Sequence, residues 1–327
     1  MGDVAMTVPV LRALNKQYPD VHLTILTREF FKPFFRDLCN TQVYAAQVNK
    51  KHKGVFGLYR LAKELKNIIN FYAVADLHNV LRSKLLRQFM GCDLTAYIDK
   101  GRADKKALVS GKAFKQLKTT HQRYADVFEA LGFPLDLSKP FLPERVVLND
   151  ELSSFLVNKD RKSIGIAPFA AHQGKVYPLG HMEEVVLKLS NNYNVVLIGG
   201  GKREIELLDK IEVKSPNIKS IGGKLNLNDE LDLISNLDVM LSMDSGNAHI
   251  AAMLGVKVVT IWGVTHPFAG FSPFNQPKHH AILADKKKYP LIPTSIYGNK
   301  YPNGYKEAAG TIAPDTIVAK VISVLED

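Results

Sequence analysis

An apolar run, Val239-Met240-Leu241-Ser242-Met243, passes directly into Asp244-Ser245-Gly246-Asn247-Ala248-His249. A strand that turns at once into a helix leaves free backbone N–H groups and the positive end of the helix dipole at the turn, which together suit a diphosphate. Asp244 and Ser245 read equally well as an ordinary helix N-cap. His249, one turn in, either points at the same anion or packs in the interior. A second segment, Gly165-Ile166-Ala167 followed by Pro168 to Pro178, ends a strand in a small-residue loop that carries Lys175. Lys175 then supplies a point charge for a leaving diphosphate, or is simply a solvated loop lysine. The remaining chemistry-bearing residues are cations and one carboxylate, Asp3. Lys50, Lys51 and Lys53 lie in a loop-like stretch, Arg60, Lys63 and Lys66 follow on a helix, and His78, Arg82 and Lys84 surround a strand end at Asp76. Asp3 follows Gly2 at the head of the first helix, where it caps that helix or serves as a base.

Positioning such groups requires strands that end on a common edge. Short β-branched runs alternate with amphipathic stretches along the whole chain, the pattern of parallel sheets covered by helices. Strands are expected at 21–27, 72–78, 163–167, 194–199, 239–243 and 256–263. Helices are expected at 8–17, 120–131, 181–190, 204–213, 247–254 and 315–325; Ile205, Leu208 and Ile211 line one face of the fourth. The 327 residues exceed what a single core comfortably fills. Pro134, Pro140 and Pro143 punctuate a loop-rich stretch before the strand at Ser163. Two domains follow, residues 1–150 and 151–327, each an open α/β unit that binds ligand beyond the carboxyl ends of its strands. The chain opens on Met1-Gly2-Asp3-Val4, a turn into a helix with no strand ahead of it, so the first sheet is expected to lack its first strand through residues missing upstream.

Charge separates the halves. Residues 1–150 hold 24 Lys+Arg against 14 Asp+Glu, whereas residues 151–327 hold 19 against 18. A basic first half favours an anionic partner: nucleic acid, an acidic membrane surface or a phosphorylated saccharide, set against a surface that is merely solubilising. Apolar runs stop well short of the roughly 20 residues that span a bilayer, and no signal-peptide pattern opens the chain, which reads as cytoplasmic. Cys39 and Cys92 are too few for a disulfide framework or zinc site and read as packing residues.

Three separated motifs, in order and at family-like spacing, carry a resemblance: Gly2-Asp3-Val4 with Thr7-Val8-Pro9-Val10-Leu11-Arg12-Ala13-Leu14, the Lys175 loop, and Asp244-Ser245-Gly246 with His249-Ile250-Ala251-Ala252 and Leu254-Gly255. Together they resemble glycosyltransferase family 9, the ADP-heptose:lipopolysaccharide heptosyltransferases, over essentially the whole chain. The resemblance implies a GT-B fold, with two Rossmann-like domains facing across a cleft, and an inverting reaction without metal or cofactor. The nucleotide sugar would be substrate only. By the same resemblance Asp3 is the catalytic base and Lys175 a diphosphate contact. Asp244, Ser245, Gly246 and His249 form the nucleotide-sugar site, and Glu204 stands where some members place a ribose contact. The basic domain would receive a Kdo-containing, anionic lipid-linked acceptor on Lys50, Lys51, Lys53, Arg60, His78 and Arg82, with peripheral contact at the inner membrane surface. Tyr177 replaces the tryptophan common in the family. No Asp-x-Asp pair occurs in the sequence, so cations and backbone dipoles are left to neutralise the diphosphate.

Three other readings compete. A nicotinamide-dependent oxidoreductase needs a G-x-G-x-x-G turn after its first strand. The nearest match, Gly199-Gly200-Gly201-Lys202-Arg203-Glu204, lies late and has Glu at the third glycine. A nucleic-acid-binding protein would suit the net charge of +11, but no recognised module is present. An inactive GT-B scaffold, or a transferase using another nucleotide sugar, would retain the same motifs.

Overall fold

A computed structural model describes all residues, 1–327. The backbone contacts divide it into two units: residues 3–102 with 118–141, and residues 103–117 with 142–327. The division between 141 and 142 lies nine residues before the expected boundary at 150. Segment 103–117, expected in the first domain, belongs to the second, because Leu108 and Leu117 pack with Ala269, Phe268, Phe271 and Ile296 and the Leu117 N–H donates to the Phe268 carbonyl at 2.9 Å.

The first unit opens on helix α1 (Gly2–Gln17). Pro9, which invites a helix start near residue 8, is buried inside this helix, which begins six residues earlier than the expected span. Strands β1 (Leu23–Thr27) and β2 (Thr41–Ala45) pair in parallel in register from Leu23 opposite Thr41. Helix α2 (Gly54–Lys66) crosses to β3 (Ala73–Asp76), and α3 (Leu81–Met90) crosses to β4 (Leu94–Tyr97), again in parallel. Helix α4 (Arg102–Val109) leads into the second unit and α5 (Thr120–Glu129) returns, its amino end capped by Thr119 Oγ1 accepting the Gln122 N–H. The expected single open sheet is instead two ladders of two strands. No backbone pairing bridges β1 and β3, and both strands remain only half-buried apart from Asp76. They share a layer through α2: Leu26, Tyr44 and Val74 all pack against the cluster of Leu58, Leu61, Ala62, Leu65 and Met90. Cys92 joins that cluster as a packing residue, whereas Cys39, also expected to pack, is exposed in the turn ahead of β2.

The second unit is a continuous doubly wound sheet. After the short helix α6 (Asp150–Ser153) come β5 (Ser163–Ala167), α7 (Leu179–Ser190), β6 (Asn194–Leu197), α8 (Lys202–Glu212) and β7 (Ile218–Ser220). Then follow α9 (Leu227–Ser235), β8 (Val239–Met243), α10 (Gly246–Met253), β9 (Lys257–Trp262), β10 (Ala281–Leu283) and α11 (Pro314–Glu326). All six strands are parallel, in the order β10-β9-β8-β5-β6-β7. Strands covered on both faces should be apolar throughout, and every residue of β5, β6 and β8 is buried. The core is built from Ile164, Ile166, Val195, Leu197, Val239 and Leu241 with the inward faces of α7, α8 and α11. The strand order reverses between β5 and β8, and a doubly wound sheet binds ligand at that switch point, beyond the carboxyl ends of the strands. No single helix in the chain is long and apolar enough to cross a membrane.

Candidate active site

The two segments with phosphate-binding potential leave the two strands at the switch point. Beyond β5, a 3-10 turn (Gln173–Lys175) carries Lys175; beyond β8 comes Asp244. The fold brings them together, with Lys175 Nζ 2.7 Å from Asp244 Oδ2 and both side chains largely buried. Asp244 Oδ2 also accepts from Thr265 Oγ1 at 2.8 Å. A buried carboxylate is costly unless it is paired and hydrogen-bonded, and here it has both. The lysine stem is held from below by close backbone. A Cβ on Gly298, whose φ is +73°, would stand 2.6 Å from Lys175 Cγ, and one on Gly263 would stand 2.4 Å from the Gly174 carbonyl oxygen. Tyr177 is buried, its hydroxyl donating to the Ile312 carbonyl at 2.7 Å, so it anchors the end of the lysine loop to the chain before α11.

Neither Asp244 nor Ser245 caps α10. Asp244 is committed to Lys175 and Thr265, and Ser245, at the cap position, shares a 3.1 Å hydrogen bond with the Ser242 hydroxyl. The first amides of α10, beginning at Gly246, therefore have no side-chain acceptor. An uncapped helix amino terminus beside a lysine is a seat for an anion. His249 lies one turn further in, buried, with Nδ1 lacking a hydrogen-bond partner. Burial, reinforced by the charge of Lys175, pushes its imidazole down to about 3, so the ring is neutral at ordinary pH. The sheet thus gathers Lys175, Asp244, Ser245, Gly246 and His249. Glu204 is not gathered with them: on the first turn of α8 its carboxylate accepts the Gly200 N–H at 2.9 Å, closing its own glycine turn. Thr265 was not among the sequence candidates. Its place just past the carboxyl end of β9, next to β8, was the available signal.

In the first unit, Asp3 is exposed on the opening turn of α1; its carbonyl accepts the hydroxyl of buried Tyr124 at 3.3 Å, and its carboxylate makes no hydrogen bond or ion pair within the chain. Asp76 ends β3 as a brace, accepting the N–H groups of His78 and Asn79 at 3.0 and 2.7 Å and facing Arg87 at 3.4 Å. This brace fixes the turn that presents exposed His78, and Asp3, Lys100 and Arg82 are charged neighbours of that ring. Lys50, Lys53, Arg60 and Arg82 are exposed. Lys51 is not a free cation: its ammonium sits 2.7 Å from Glu64 Oε1. Lys51 and the Tyr44 hydroxyl hold the Glu64 carboxyl down to about 2, and the same contact raises the Tyr44 hydroxyl to about 12.

Residues 58–295, more than half of the chain, match the family model of glycosyltransferase family 9 (heptosyltransferase). The chain is 24% identical over 286 residues to the lipopolysaccharide core heptosyltransferase OpsX of Haemophilus influenzae, covering 84% of this chain and 79% of that protein. Among solved structures, it is similar to a family 9 glycosyltransferase from Veillonella parvula, with a TM-score of 0.76 at 19% identity over 99% of this chain and 94% of that one. It is also similar to the E. coli heptosyltransferase WaaC with ADP, with a TM-score of 0.71 at 16% identity over 99% and 96%. These likenesses give the fold as GT-B. An uncapped helix and a lysine at the switch point, in that fold and with that family match, make one assignment: the chain belongs to glycosyltransferase family 9.

Proposed function

We propose that the chain transfers a heptose from an ADP-sugar to a Kdo-containing inner-core acceptor of lipopolysaccharide, with inversion and with no cofactor or metal of its own. The observation that carries this reading is the α10 amino terminus. Its amides lack a cap, Lys175 stands beside it, and a neutral histidine lies beneath it. The donor diphosphate would lie across the Gly246 amide and the Lys175 ammonium, with Ser245 and His249 lining the seat. The first unit would receive the acceptor, whose phosphates suit Lys50, Lys53, Arg60, His78 and Arg82. The acceptor oxygen forms the new bond to the anomeric carbon as the bond to the diphosphate breaks. Its proton passes to the Asp3 carboxylate, and ADP departs with its charge met by Lys175 and the helix amides. Such an enzyme would work in the cytoplasm, at the inner membrane face where a lipid-linked acceptor is presented.

The test is a pair of measurements on the purified chain. ADP at a hundredfold excess over its dissociation constant should stabilise the fold by roughly 2.7 kcal/mol, and Lys175→Ala should reduce that gain. Turnover is then followed with ADP- and UDP-sugars and a deacylated Kdo-containing acceptor. An ADP response unchanged in Lys175→Ala removes the lysine from the seat. Turnover with UDP-sugars alone changes the donor, and no turnover with any donor favours an inactive scaffold.

A further inference from the structure

The outer face of α2 is built unlike the outer face of an ordinary surface helix. Its inner stripe, Gly57, Leu58, Leu61, Ala62 and Leu65, is buried and accounts for its packing against the ladders. An outward face with that job already done should be polar. Instead Val55, Phe56 and Tyr59 point out, with 54%, 91% and 48% of their surface in solvent. Ile68 and Ile69, just past the last turn, are exposed as well. Cations interleave them. Lys53 precedes the helix, Arg60, Lys63 and Lys66 are exposed along it, and Lys63 Nζ lies 5.0 Å over the Tyr59 ring. Between residues 50 and 66 there are six Lys and Arg and one acid, Glu64. That acid is taken up by Lys51, His52 and Tyr44, so its charge is spent on bracing the helix to the preceding turn.

The brace also makes this face stiff. His52 is 2% exposed, its Nδ1 accepting the Gln47 N–H at 3.0 Å while Nε2 donates to Glu64 Oε2 at 3.1 Å. A Cβ on Gly57 would stand 2.4 Å from the His52 carbonyl carbon, so the glycine lets the 47–53 turn lie directly on the helix. Lys50 and Lys53 are therefore carried on a turn fixed against the amino end of α2.

We propose that the outer face of α2 docks on an anionic lipid bilayer, with Phe56 and Tyr59 entering the headgroup layer and the lysines and Arg60 meeting lipid phosphates. An amphipathic helix that offers aromatic rings between cations is the form that binds in a membrane interface, where apolar burial and attraction to anionic lipid add. The charge is complementary to such a surface and the rings protrude from it, and the exposed aliphatic Val55, Ile68 and Ile69 beside them favour an apolar layer over a nucleic acid, which would stack on the rings alone. The proposal deepens the reading of a transferase at the inner membrane face by naming the surface that meets lipid, and it stands whichever sugar is moved.

The experiment is sedimentation of the full chain with phosphatidylcholine vesicles and with vesicles containing one quarter phosphatidylglycerol, at low and at 0.5 M salt. Binding is expected only to the anionic vesicles and is expected to weaken with salt. Phe56→Ser/Tyr59→Ser should abolish most of it without lowering the melting temperature, and each of Lys53→Gln and Lys63→Gln should weaken it by roughly fivefold. Binding equal on both vesicle types, or unchanged in the double serine variant, overturns the proposal. So does a concentration-dependent dimer that the serine variant abolishes, which would assign the face to a second copy of the chain. Displacement from vesicles by a short oligonucleotide but not by phosphate would assign it to nucleic acid. Turnover on a deacylated, water-soluble acceptor should be the same in the serine variant as in the parent, so a failure of the transferase reading is seen in that assay and a failure of this one in the vesicles.

Discussion

In the proposed donor seat, Asp244 poses an electrostatic problem that its neighbours solve. A carboxylate near a diphosphate would repel it, yet here one oxygen is shared by Lys175 Nζ and Thr265 Oγ1, which turns the carboxylate into a support for the lysine. Asp3 is the opposite case: an exposed carboxylate that the chain leaves uncommitted, as a group that must accept a proton from a substrate would be. Asp3→Asn keeps the shape, and it removes no cap, because Asp3 lies inside α1 and its side chain caps nothing, contrary to the capping alternative read from the sequence. It should keep the melting temperature and the ADP response while turnover falls on the order of a hundredfold or more. Turnover retained by the variant would move the base to another carboxylate. Lys175 and Asp244 were both legible in the sequence as members of two separate loops. Their pairing was not, because the two residues lie 69 positions apart and only the strand order brings them together. Thr265 was hidden for the same reason, its Val-Thr-His-Pro context reading as an ordinary loop after a strand.

At the scale of elements, the short helix α10 and the turn after β9 both hold a histidine out of water. Burial, with Lys175 secondary, pushes His249 down to about 3; burial, with Lys286 secondary, pushes His266 down to about 4. Both are neutral in the fold, while in the unfolded chain a histidine takes up its proton near 6.5. The unfolded state then binds more protons below that pH, so the stability present above about 6.5 is lost as pH falls toward the folded values. For His249 the slope approaches ~1.4 kcal/mol per pH unit. Melting temperature should therefore drop between pH 6.5 and 5, above the range where most carboxylates titrate, and His249→Gln should flatten part of that drop. A constant melting temperature across the window would show that the ring is not held neutral. Strands β5, β6, β8 and β9 of the second unit were readable from their continuous apolar runs, whereas β10 (Ala281–Leu283), only three residues long, was not. Strands β2, β4 and β7 were not, because Thr41–Ala45, Leu94–Tyr97 and Ile218–Ser220 are short and mixed in polarity. Helix α4 gave no sign of its unit, since Leu108 is its single buried residue.

On the scale of the molecule, the two units differ in both charge and completeness. The second has one six-stranded sheet with buried central strands; the first has two ladders whose strands stay half-buried under α2. Backbone hydrogen bonds near solvent and few buried contacts mark the regions that open first. Hydrogen exchange should accordingly be faster at the amides of β1 to β4 than at those of β5, β6 and β8, and uniform protection across both units would contradict this. Two domains were legible from length and proline placement, but the split of the first sheet was not, because pairing between strands leaves no local mark in sequence. The unjoined ladders carry one more consequence. A strand with an open side is a template for another chain. Ile25 and Leu26 lie on such a strand, so concentrated or warmed solutions of this protein should seed amyloid-like association from residues 23–27, and lysine substitutions there should raise its solubility limit.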